Sequence, residues 1–247
     1  MRETKAKNIQ SGKTYENLNL DQGTIMKQNF IETLDREIND IWDEIKANRF
    51  WKFVLNNKVS REFYYDLMIE IHHYTKHNSM NQAVTAFAEA PEGLFKFVYS
   101  HAAEELGHQR MVIHDLEGIA LLNSADLTRD PLSATDALIA YLYFIAIKHG
   151  PIARLGYSFW AENVYLHINE IIEKIKSDLS LTDKNLTFFR AHAKIDEKHI
   201  EQVKECIEKY ARTPMEQNLI KRVARTTLYL TAQMLEQVAQ NHQNKLI

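Results

Sequence analysis

Apolar residues recur at steps of three and four along most of this chain, the spacing of one buried helix face. Ile31, Leu34, Ile38, Ile41, Trp42 and Ile45 form one such stripe and predict a helix from Thr24 to Ala47. A short aromatic piece follows, Phe50 to Leu55. Ser60 is placed to cap a second long helix that carries Phe63, Tyr64, Leu67, Ile71 and Tyr74. Pro91 and Glu92 suit the first turn of a third, running to Leu122, because proline needs no donor there and an acid complements the dipole. Ser133 and Asp136 have capping-box-like spacing ahead of a fourth helix that ends near His149, where Gly150-Pro151 breaks the chain. A fifth is expected from Ile152 to Leu179. A sixth starts at Thr182-Asp183 and ends near Arg212, and a last one starts at Thr213-Pro214 and ends near Gln240. About seven helices on short links predict an all-α bundle.

Composition agrees with that pattern. There are 7 glycines and 4 prolines in 247 residues, too few turn residues for a many-stranded fold. The chain divides into a polar arm over residues 1–22 and a single helical domain over 23–247. A net charge of −3 with acids and bases interleaved leaves no basic stripe for nucleic acid and no polybasic helix for a membrane surface. The run from Leu138 to Ile147 is too short to span a bilayer and reads as a buried helix. Cys206 is the sole cysteine, and the first residues lack an apolar leader, so a cytoplasmic protein is expected. Tyr229, Leu230 and Met234 suggest an apolar face and a homodimer.

Three of the predicted helices place imidazoles and carboxylates on one face. The third carries His101, Glu105 and His108 at i, i+4 and i+7, with Glu105 and His108 at the i, i+3 spacing by which bundle helices hold iron. The fifth carries Glu162, and the sixth carries His192, Asp196 and His199, again at i, i+4 and i+7. One acid-x-x-His pair means little. With 33 acids and 11 histidines, chance supplies about one or two, and Glu70-x-x-His73 is a further instance. The His-Asp-His run is more specific, because three candidate ligands share one face. Carboxylate oxygen and neutral imidazole nitrogen together suit iron(II), and carboxylates can bridge two cations. The flanking Phe159, Trp160, Phe188 and Phe189 set these groups among apolar neighbours, where an unpaired charge is costly. A buried ion-pair network is the competing explanation.

At these residues the sequence resembles the haem-oxygenase-like diiron oxidases and oxygenases, and within them the branch of the chlamydial death-domain-associated protein with its cyanobacterial relatives. The pattern is Glu105 and His108, then Glu162 after 54 residues, then His192, Asp196 and His199 after another 30. The resemblance covers roughly residues 30 to 235. It implies a seven-helix, TenA-like bundle, two Fe2+ ions, dioxygen as co-substrate, and oxidation of a small metabolite. An amino acid or amino-acid-derived compound is the expected substrate, with nitrile formation from a tryptophan-like one as a variant. It also implies ligand roles for Glu105, His108, Glu162, His192, Asp196 and His199. His101 stands where some members have a glutamate. A further carboxylate from the second helix is common in other members, and Glu70, with His72, His73 and His77 close by, is the candidate. Arg154 is a candidate to hold a substrate carboxylate, and Tyr157 and Trp160 to wall the pocket.

Four other readings compete. Haem oxygenase shares the fold but needs a histidine on the first helix and a glycine-rich distal helix; the first histidine here is His72 and no Gly-x-x-x-Gly occurs. Thiaminase-like relatives use a mid-chain cysteine, whereas Cys206 follows the His-Asp-His run and is expected to pack. A ferritin-like carrier needs two Glu-x-x-His helices. The non-enzyme alternative is a metal-free or single-metal binding or interaction protein of the same fold.

Overall fold

The computed structural model describes residues 13–245, and the side chains of residues 30–193 and 199–245. Among these residues all regular structure is helical. The long elements are α1 (Lys13–Lys46), α3 (Arg61–Thr75), α7 (Ser133–His149), α9 (Tyr165–Leu179), α10 (Thr187–Tyr210) and α11 (Pro214–Lys245). Shorter ones are α2 (Arg49–Asn56), α4 (Asn78–Ala83), α5 (Glu92–Glu104), α6 (Gln109–Gly118) and α8 (Pro151–Ala161). The stripe of α1 is buried as its spacing requires: Leu34, Ile38, Trp42 and Ile45 all face the core. That helix begins at Lys13, well before the expected Thr24 and inside the expected arm. No described helix is long and apolar enough to cross a membrane.

Local signals set several ends. Ser60 Oγ accepts the Phe63 amide at 3.1 Å and caps α3. Thr213 and Glu216 form a reciprocal pair at the start of α11, Thr213 Oγ1 accepting the Glu216 amide at 3.2 Å and Glu216 Oε2 accepting the Thr213 amide at 2.8 Å. Other ends are capped from distant chain. Ser133 is the first residue of α7 rather than its cap, and Gln237 Oε1 on α11 accepts the Ala134 amide at 3.0 Å. Thr182 caps only a 310 turn at Asp183–Asn185. The α10 terminus rests on buried Asp115 of α6, which accepts from Thr187 N at 2.8 Å and Phe188 N at 3.0 Å.

The expected third and fifth helices are each divided in two. Between α5 and α6 the bonds tighten to i→i+3, from Leu106 N to Ala103 O and from His108 N to Glu105 O, and Gly107 takes φ +96°. Between α8 and α9 the same tightening occurs, from Asn163 N to Trp160 O and from Val164 N to Ala161 O. The first divided segment carries Glu105 and the second Glu162.

Helix α11 runs through the centre of the packing, along α8 and α7 and against α1, α2 and α3. The expected apolar face on it is largely internal. Met234 is buried and Leu230 packs against the core, so only Tyr229 stays exposed. Cys206 is half-buried against the core, and burial pushes its thiol up to about 11. The α8–α11 approach is close at Gly156, where an added Cβ would lie 2.4 Å from Ile220 O and 3.0 Å from Ala224 N. Both are backbone atoms and cannot swing aside. Gly156→Ala is expected to cost about 2 kcal/mol, the overpacking penalty of a tight core, read as a lower denaturant midpoint.

Candidate metal centre

Six of the seven predicted ligand positions converge as two triads. His101, Glu162 and His199 form one, and Glu105, His108 and His192 the other. Within each triad one ligand atom per residue lies within 4.8 Å of the others. The residues come from α5 (His101), the tight turn after it (Glu105 and His108), the turn after α8 (Glu162), and α10 (His192 and His199). The side chain of the seventh, Asp196, lies outside the described residues, although its backbone belongs to α10.

Glu162 sits between two imidazoles, 3.0 Å from His101 Nε2 and 3.2 Å from His199 Nδ1. Glu105 faces both triads. Its Oε1 is 3.8 Å from His101 Nε2 and its Oε2 is 3.2 Å from His108 Nδ1. His108 Nδ1 and His192 Nε2 face each other at 3.2 Å. The ring pairs His101–His199 and His108–His192 each stand edge to face, with centroids 4.9 Å apart.

Hydrogen bonds behind the triads decide which nitrogen each histidine offers. Phe188 O, which can only accept, takes His192 Nδ1–H at 2.7 Å, so His192 Nε2 is bare. Gln82 Nε2 donates to Asn78 O, which turns Gln82 Oε1 toward His101 Nδ1 at 3.0 Å. That leaves His101 Nε2, buried and aimed at the Glu162 carboxylate at 3.0 Å. Facing a carboxylate oxygen in a dry site, that nitrogen needs positive charge beside it, either its own second proton or a cation shared with the carboxylate. The donor set therefore fits a metal ion.

Without a metal, the imidazoles themselves compensate the carboxylates. Burial would raise the Glu162 carboxyl, but the bonds and charges of His101 and His199 outweigh it and hold it down at about 2. Glu105 is likewise held below the carboxylate range against its burial, chiefly by the bond from His108. Glu162, with Glu104 assisting, pushes His199 up to about 9, and Glu105 raises His108. His192 is lowered by burial.

Glu70 is not part of the cluster. It is fully buried and takes Thr135 Oγ1–H at 2.6 Å, Leu132 N–H at 3.0 Å and Arg129 Nη2–H at 3.0 Å, a structural role at the start of α7. His73 is buried behind it on α3, and burial lowers it to about 4. His77 Nδ1 contacts the Tyr143 hydroxyl at 3.0 Å.

Arg154 is buried on α8, 4.1 Å over the Tyr157 ring, with Nη2 donating to Asn78 Oδ1. Asn78 Nδ2 in turn donates to Glu105 Oε2 at 2.7 Å. Arg154 thus reaches the centre through Asn78. Burial lowers its pKa, opposed by Tyr157, Glu105 and Glu162. A cavity of about 140 Å³ adjoins the triads, with Glu105, Glu162 and His192 at its polar end. Tyr157 and Trp160 are in its wall, and Trp160 is fixed by a 2.9 Å bond from Nε1 to Thr227 Oγ1. The rest is mostly apolar, including Trp42, Trp51 and Ile172.

Asn78, Gln82 and Glu104 were not singled out from sequence. The first two share one face of α4 at i, i+4 spacing, in a stretch where no helix is predicted; Glu104 is the neglected half of a Glu-Glu pair.

A model of the family described as iron-containing redox enzymes matches residues 67–232. The chain belongs to this family. A domain of unknown function with a haem-oxygenase-like fold from Shewanella denitrificans is 39% identical, over 86% of this chain and 93% of that one, with a TM-score of 0.83. A CADD-like protein of unknown function from Nostoc punctiforme aligns with a TM-score of 0.67 at 14% identity, over 85% and 97% of the two chains. A TenA homologue from Pyrococcus furiosus gives 0.67 at 14%, over 85% and 99%. At 14% identity the likeness shows the fold alone, and that fold is the haem-oxygenase-like helical bundle. No curated protein matches the chain.

Two outcomes follow for the triads and their surroundings. His199 is raised from 6.5 to about 9, so in the metal-free chain its stabilisation is fully present below pH 6.5 and is lost as pH climbs through about 9. Glu162 is lowered from 4.5 to about 2, so its contribution is fully present above pH 4.5 and is lost as pH falls through about 2. Melting temperatures of metal-free protein should therefore decline from neutral pH toward pH 9 and above. Glu70→Gln should destabilise the fold by about 3 kcal/mol, because Arg129 loses its buried partner, yet leave metal stoichiometry unchanged by calorimetry.

Proposed function

We propose that this protein is a non-haem diiron oxidase or oxygenase that uses dioxygen to oxidise a small metabolite in the cavity beside the two triads. The observation that carries this reading is the Glu105 carboxylate, whose two oxygens face His101 of one triad and His108 of the other. Such a group can bridge two ions, and two divalent ions offset the buried charge of Glu105 and Glu162. In this reading His101, Glu162 and His199, joined by Asp196, hold one iron, and Glu105, His108 and His192 hold the other. Ferrous iron supplies the binding and reduction of dioxygen.

The remaining work belongs to the chain. Gln82 and the Phe188 carbonyl keep His101 and His192 in the tautomer that donates Nε2. Asn78, backed by Arg154, holds Glu105 Oε2. The apolar cavity wall excludes water and positions the substrate. A space of about 140 Å³ compares with cavities that take a single aromatic ring, so the substrate body is of that size. Tyr157 and Trp160 in the wall suit an aromatic amino acid or a compound derived from one.

Anaerobic titration with Fe2+ tests the centre, with two equivalents expected per chain. Oxygen uptake and optical change on adding oxygen, followed across a panel of amino acids, then report the substrate. Glu105→Ala should lose the second equivalent and abolish substrate-triggered oxygen uptake. One equivalent in the wild type would replace this reading with a single-metal protein, and none would replace it with a metal-free binding protein.

A further inference from the structure

Glu104 has no part in the triads, yet it touches them. Its side chain is 50% exposed, while its Oε2 lies 2.8 Å from Nε2 of His199, which is 5% exposed. Its other oxygen faces Ser100 Oγ, one turn earlier on α5, at 3.5 Å. Adjacent helical residues point about 100° apart, so Glu105 turns inward to both triads while Glu104 reaches across to α10. The two acids divide the work because α5 ends between them.

The three histidines that have a partner behind the centre are not held alike. His101 is held by the neutral Gln82 amide and His192 by the neutral Phe188 carbonyl. His199 is held by a carboxylate. An acceptor on the far nitrogen fixes the tautomer, and a charged one also strengthens the near nitrogen as a donor.

We infer that Glu104 is a positioning residue for His199: it keeps the proton on Nε2, so that Nδ1, 3.2 Å from Glu162 Oε2, is presented to the ion of the His101–Glu162–His199 triad. This rests on the metal-binding reading of the triads. It makes the two metal positions unequal, with the stronger imidazole donor at the more deeply buried triad.

The test is titration of metal-free protein with Co2+ against a chelating competitor, followed by absorption and calorimetry, for wild type, Glu104→Ala and Glu104→Gln. The wild type should bind two ions. Glu104→Ala should bind one of them 10- to 100-fold more weakly and the other unchanged, with a wild-type helical circular-dichroism signal. Glu104→Gln keeps an oxygen to accept Nε2–H and should recover most of the affinity. In the Zn2+ form, ring-nitrogen NMR should show His199 as the Nε2–H tautomer in wild type and Glu104→Gln, and a mixture in Glu104→Ala. Unchanged binding in Glu104→Ala, equal weakening of both ions, or a glutamine variant as weak as the alanine variant overturns the role of Glu104. A wild type that binds no ion overturns the metal reading with it.

Discussion

Anionic oxygens can share a water-poor interior only with compensating positive charge, and among the described residues this chain buries four carboxylates under that constraint. Two are satisfied by their own scaffold. Glu70 has a guanidinium, an amide and a hydroxyl, and Asp115 has the amides that open α10. The other two, Glu105 and Glu162, face mainly imidazoles, which are neutral or charged according to what else is bound. The first pair makes structure and closes its own account. The second pair makes a site, because its compensation comes from outside the chain or from protons.

The scaffold places that second pair with unusual backbone. Both carboxylates lie where a long helix tightens and divides, Glu105 beside Gly107 and Glu162 before Val164. Tightening by i→i+3 bonding rotates the following side chains, so His108 meets Glu105 and His192 at once instead of continuing the stripe of α5. The N-terminal ends of α7 and α10 are capped by residues from remote chain, which ties the position of α10, and with it His192 and His199, to α6. His101, His192 and His199 are thus fixed at both ends, by packing at Cα and by a hydrogen-bond acceptor at the far ring nitrogen.

The likeness to a TenA homologue and a CADD-like protein at 14% identity shows the architecture alone, so the site rests on this chain's own residues. In this chain the site consists of the donor set and its immediate supports. Glu105 is held by Asn78, His101 by Gln82 and His199 by Glu104, all within reach of a ring-sized apolar cavity.

The sequence by itself determined the helical class, the buried stripe of α1, the caps at Ser60 and Thr213, and the six residues that meet in the two triads. These were legible because helical periodicity and capping are local, and because i, i+4 and i+7 spacing brings side chains onto one face whatever the helix packs against. Tertiary structure alone decided that Glu70 serves α7 and not the cluster, since its partners Arg129 and Thr135 lie some sixty residues away in the chain. It also decided the breaks at Glu105 and Glu162, the cap that Asp115 lends to α10, and the recruitment of Asn78, Gln82 and Glu104. Each of these depends on which distant backbone or ring nitrogen is left wanting a partner, and no pattern read along a single strand of sequence carries that information.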